Sequence, residues 1–165
     1  MNGTAMEKTA RTYYLNDEEE LRDHLLATLN THYENATGET FRKIGKTYIN
    51  IEFDNKAAFI GECKIWQGEK YFENAVQQIL NYSTWKDVKI SVIVFNKDNQ
   101  SFQGIINIID KWVNDNTVSN KRIKLNVWDC ELYRLDMDNK IKPNILIFDL
   151  YVDKTQFKAS KNNVN

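Results

Sequence analysis

The stretch Phe59-Ile60-Gly61-Glu62-Cys63-Lys64-Ile65-Trp66 places a carboxylate and an ammonium two residues apart at the end of an apolar run. Residues two apart in a strand share a face. Ile60, Glu62 and Lys64 are therefore expected on one side, with Phe59, Cys63 and Ile65 on the other. Burying such a pair costs free energy unless the charges are paired or take up a charged partner, which makes Glu62 and Lys64 a candidate site. Gln78 and Tyr82 are one turn apart, so a helix would show them on one face. His24 and His32 are the only histidines and are too few for a zinc centre. Cys63 and Cys130 lie far apart without metal-ligand spacing and are expected to be reduced and structural, as in a cytosolic setting.

The elements that must position these groups follow from periodicity. Asp17 is a helix cap, Glu18-Glu19-Glu20 favour a first turn, and Leu21, Leu25, Leu29 and His32 recur at helical spacing. Asn35 to Gly38 break that helix. Thr40 to Lys43 and Thr47 to Phe53 read as strands around a Gly45-Lys46 turn, and Ala57 to Trp66 as the third strand of an antiparallel meander. Gln67-Gly68 ends it. Residues 70–84 carry Phe72, Ala75, Val76, Ile79, Leu80 and Tyr82 in a helical pattern. Val88 to Phe95 is a β-branched buried strand, and residues 101–114 form a further helix. Ile123 to Val127, Cys130 to Leu135 and Ile145 to Tyr151 read as strands, with Pro143 at an edge or a strand start. The strand–helix–strand run from 57 to 95 implies a right-handed parallel crossover. The expected fold is α/β, a mixed sheet with helices on its faces. Residues 1–16 are expected to be a flexible lead-in, 17–153 one domain, and 154–165 a flexible tail.

Composition narrows the function classes. The chain of 165 residues is 42% hydrophobic and 27% charged, ordinary for one globular domain. Its net charge of −1 supplies no global basic field, so nucleic-acid binding would need a local patch. Lys121-Arg122 with Lys124, Arg42-Lys43 and Lys46 are the basic clusters, each equally explained as a solvated loop. Trp66, Trp85, Trp112 and Trp128 read as core before base-stacking platforms. No run is long enough to span a membrane and no secretory pattern is seen, so a cytoplasmic protein is expected.

The order of elements and three motifs carry a resemblance. Thr37-Gly38-Glu39-Thr40-Phe41, Gly45-Lys46-Thr47-Tyr48 and Glu62-Cys63-Lys64-Ile65-Trp66 resemble the corresponding motifs of the PD-(D/E)xK, restriction-endonuclease-like nuclease superfamily. The likeness covers roughly Asp17 to Phe95. It implies a restriction-endonuclease-like fold and Mg²⁺- or Mn²⁺-dependent hydrolysis of DNA phosphodiesters, in defence or DNA processing. In that chemistry acidic groups on adjacent strands hold a hard cation, the cation lowers the pKa of a bound water, and a lysine positions that water and balances phosphate charge. The resemblance makes Glu62 a metal ligand and Lys64 the catalytic cation. It gives Glu20 an assisting role from the first helix, and has Gln78 and Tyr82 help position the DNA.

One position departs from the pattern. Tyr48 stands where the family has its first catalytic aspartate, and a phenol with pKa about 10 is a poor Mg²⁺ ligand. Glu52 would lie about 13 Å further along the strand, which leaves Glu39, in the preceding loop, as the replacement ligand. Two readings stay open: a nuclease with an acid supplied from elsewhere or a site impaired by Tyr48, and a catalytically inactive module on the same fold that binds nucleic acid, a partner protein or a second copy of itself.

Overall fold

The computed structural model describes residues 2–33, 39–43, 48–53, 56–82, 89–133 and 140–155. The helices are α1 (Asn2–Lys8), α2 (Glu18–Tyr33), α3 (Glu69–Tyr82) and α4 (Phe102–Asn116). The strands are β1 (Glu39–Lys43), β2 (Tyr48–Phe53), β3 (Lys56–Ile65), β4 (Lys89–Asn96), β5 (Ser119–Lys124), β6 (Val127–Tyr133), β7 (Lys140–Ile141) and β8 (Pro143–Asp149). They form one mixed sheet in the order β1-β2-β3-β4-β8-β6-β5, with β7 beside β6. The expected meander is present, since β1, β2 and β3 pair antiparallel in turn. The expected crossover is present as well, since β3 and β4 are parallel and joined through α3.

Each face of the sheet is covered because its apolar residues alternate. Ile60, Ile90, Val92, Val94, Ile145 and Ile147 pack with Phe72, Ala75, Val76 and Ile79 of α3 and with Ile105, Ile106 and Ile109 of α4. Cys63, Ile93, Phe95 and Phe148 meet Leu21 and Leu25 of α2 and Met6 of α1 on the opposite face. Trp66, Trp112 and Trp128 are core residues, as expected, and Trp85 lies outside the described residues. Cys63 and Cys130 are both free and buried. Burial pushes both thiols upward, that of Cys130 to about 12.

Two expectations change. The lead-in is not loose throughout: Asn2–Lys8 is helical, Met6 is buried, and a Glu7 carboxylate oxygen accepts the Asp149 N–H at 2.9 Å. The strand expected at Ile123–Val127 begins earlier, at Ser119, and Leu125-Asn126 form the turn into β6. Pro143 opens β8, the strand start expected of it, in a strand inside the sheet order. Gly68 (φ +105°) makes the turn between β3 and α3, a conformation L side chains rarely adopt.

Candidate functional site

Strand alternation sends Glu62 and Lys64 to the face that carries Ile60, as the sequence requires. Both are withdrawn from solvent: the side chains are 2% and 12% exposed, and the Lys64 Nζ lies 3.0 Å from a Glu62 carboxylate oxygen. A second carboxylate closes on the same ammonium, that of Glu18 at 3.3 Å. One lysine therefore joins two glutamates, one from its own strand and one from the first turn of α2.

The backbone explains why Glu18 reaches so far. The Trp66 N–H donates to the Phe95 carbonyl on β4 at 2.8 Å. Successive strand N–H groups point to opposite edges, so the Ile65 N–H faces the β2 side. The described part of β2 begins at Tyr48, in register with Glu62. Glu18 accepts the Ile65 N–H at 2.8 Å with its second oxygen. Its carboxylate thus satisfies a strand donor and an ammonium together, which offsets much of the cost of holding it partly buried.

Glu20, the residue expected to assist from this helix, is placed differently. Its carboxylate accepts the Asp17 N–H at 2.8 Å, while the Asp17 carboxylate accepts the Glu20 N–H at 2.9 Å. This is a reciprocal capping box. It holds Glu20 on the exposed side and turns Glu18 inward. The Glu-Glu-Glu run hid that division. The Asp17-x-x-Glu20 spacing, together with Glu18, Leu21, Arg22 and Leu25 at i, i+3, i+4 and i+7, is the signal that would have found it.

Arg22 is a further residue the sequence reading did not single out. One turn beyond Glu18, its side chain is fully buried; Nε and Nη2 donate to Asp23 at 3.0 and 2.6 Å. Its Nη1 has no hydrogen-bond partner among the described residues. The charges of Glu62, Arg22, Glu18 and Lys64 all act on the Cys63 thiol, so the four cluster around the end of β3.

Lys64 stays protonated. Burial alone depresses its pKa, but the hydrogen bond and charge of Glu62, with those of Glu18, outweigh burial and raise it above the ordinary lysine value.

The register corrects the expectation for Glu39. It opens β1 and pairs with Phe53, at the far end of β2 from Tyr48. Five residues of strand separate those levels, about 17 Å, and β2 intervenes. The backbone of Glu39 is thus remote from that of Glu62, where the expectation had them close. Gln78 is exposed on α3, whose inner face is Phe72, Ala75, Val76 and Ile79. The Tyr48 and Tyr82 side chains lie outside the described residues, so their expected roles have no geometry to report.

The donor set fits a hard cation in kind. Glu18 and Glu62 offer oxygen ligands, and the Lys64 ammonium already shows that a cation is held between them. Among the described residues no group of three or more His, Cys, Asp or Glu gathers as a metal cage. Water and a substrate oxygen would have to complete the coordination. Comparison with protein-family models, curated proteins and solved structures returned no match. No helix among the described residues is long and apolar enough to cross a membrane.

Proposed function

We propose that this chain is a PD-(D/E)xK-type nuclease domain that hydrolyses DNA phosphodiesters with Mg²⁺ or Mn²⁺, using Glu62, Glu18 and Lys64. The observation that carries this reading is the Glu18–Lys64–Glu62 cluster, in which a part-buried ammonium lies within 3.3 Å of two carboxylates at the end of β3. Glu62 and Glu18 would hold the divalent ion, with Glu18 supplying from the helix the acid that β2 lacks at Tyr48. The ion's chemistry is activation of a water and neutralisation of phosphate charge. Lys64, released from part of its ion pairing, would donate to a non-bridging phosphate oxygen and stabilise the charge that builds during displacement. Its raised pKa keeps it cationic at neutral pH, as that role requires.

A second reading is favoured by one specific observation. Tyr48, a poor Mg²⁺ ligand, is the register partner of Glu62. A catalytically inactive module that binds nucleic acid or protein follows if the ion pair stays closed. The experiment that separates them is incubation of the protein with single- and double-stranded DNA and with RNA, in Mg²⁺, Mn²⁺ or EDTA. Metal-dependent cleavage, lost in Glu62→Gln and Lys64→Met, supports the nuclease. Absence of cleavage from the folded protein in every condition leaves the binding module.

A further inference from the structure

The sheet has a second chemically distinct feature, four strand positions from β3. At the usual strand spacing β5 lies about 19 Å from the Glu62–Lys64 cluster. It is the terminal strand of the sheet order, and all six of its residues are exposed. Its outer edge has no strand partner among the described residues.

The composition of this edge is unusual in two ways. Ser119–Lys124 carries Lys121, Arg122 and Lys124 and no acid, in a chain whose net charge is −1. Of the seven exposed large apolar side chains in the described structure, four (Val118, Ile123, Leu125 and Tyr133) lie on or beside the β5–β6 hairpin. Exposed apolar residues scattered singly need no explanation, but Val118, Ile123 and Leu125 recur along β5 and its two ends, which marks an interaction strip. Arg122 is committed to the fold: it donates to Asp110 at 2.8 Å and to the Leu125 carbonyl at 3.1 Å and lies 5.4 Å from the Trp128 ring centre. Lys121 and Lys124 are the charges available to choose a partner.

We propose that β5 is a docking edge for an extended acidic peptide segment, which adds to the sheet as a further strand. Main-chain hydrogen bonds along the open edge would supply affinity, and alternate side chains would be read by Ile123 and by the two lysines. A second copy of this chain is the disfavoured occupant. Two β5 edges would set basic residues against basic residues. Nucleic acid makes poorer use of the strip, because phosphates do not engage both donors and acceptors of a strand edge. The inference does not depend on the nuclease reading.

The test is an amide-resolved NMR titration of the full chain with a capped ten-residue peptide of alternating Glu and Val. Alternating Lys and Val peptides and a short DNA duplex are run in parallel. The expected result is shifts confined to the β5–β6 hairpin with the acidic peptide, and slowed amide exchange along Ser119–Lys124. A Lys121→Gln/Lys124→Gln variant should fold normally and bind about tenfold more weakly. Unchanged spectra at millimolar peptide, equal shifts with the basic peptide, binding of the duplex at this edge in place of the peptide, or self-association through β5 would each overturn the proposal.

Discussion

Tyr48 and Glu62 are direct register partners on neighbouring antiparallel strands. Opposed residues in such a pair have Cα atoms about 4.5–5.5 Å apart. Tyr48→Asp therefore sets a carboxylate across from Glu62. Like charges directly opposed destabilise a sheet, so the variant should melt lower than wild type in EDTA. Mn²⁺ should restore the loss by binding the folded state. Thermal melts with and without Mn²⁺ check this, and metal-dependent DNA cleavage by the variant should exceed that of wild type. A melt indifferent to Mn²⁺ would separate residue 48 from any metal centre.

Lys64 joins Glu18 and Glu62 in the cluster, which makes its removal costly. Lys64→Met leaves Glu62 buried beside a hydrophobic side chain, a loss of about 3–5 kcal/mol for a broken buried pair. For a chain of this size that lowers Tm by roughly 6–20 °C. The Glu62→Gln/Lys64→Met double variant should regain part of it, since the Glu62 charge goes with that of Lys64 and Glu18 keeps the Ile65 N–H. A double-mutant cycle from urea unfolding measures the coupling.

Glu18 and Glu20 are two residues apart and have different tasks. Glu20→Ala removes one arm of the capping box and should cost about 1 kcal/mol without touching metal binding or cleavage. Glu18→Gln keeps an acceptor for the Ile65 N–H but removes a charge. It should cost little stability and weaken Mn²⁺ affinity at least tenfold, about 1.4 kcal/mol. Melting and metal titration of the two variants side by side give opposite patterns if the assignment holds.

Glu7 fastens α1 to the end of β8 and carries a raised pKa. Burial is the main cause; the Asp149 N–H opposes it and the Asp149 charge adds to it. The folded state thus favours the protonated acid. That contribution is full below the unfolded glutamate pKa and is lost as pH rises through the higher folded value. Glu7→Gln should therefore be more stable than wild type at pH 8, and the difference in Tm should shrink toward zero on acidification below pH 5.

The sequence showed the central sheet and its layers because β3, β4, α3 and α4 bury one clean face or a continuous apolar run. Ile105, Ile106, Ile109 and Val113 leave no alternative to a helix packed on the sheet. It concealed β5 because an edge strand exposed at every position has no burial pattern to read. It concealed α1 because a single buried residue, Met6, anchors a short polar helix. In the candidate site, Glu62 and Lys64 were legible from their spacing on one strand. Glu18 was not, since its role depends on the direction of the Ile65 N–H, which is fixed only once β3 sits between β4 and β2. Glu39 misled because motif proximity says nothing of register, and the hairpin carries it to the opposite end from Tyr48.

Calorimetric titration of Mn²⁺ into wild-type protein and the Glu62→Gln variant tests the proposed metal site most directly. The account predicts binding at one site in wild type, with proton uptake or release near zero because Lys64 stays protonated, and loss of that binding in the variant. No heat from wild type, or equal heat from both proteins, would contradict it.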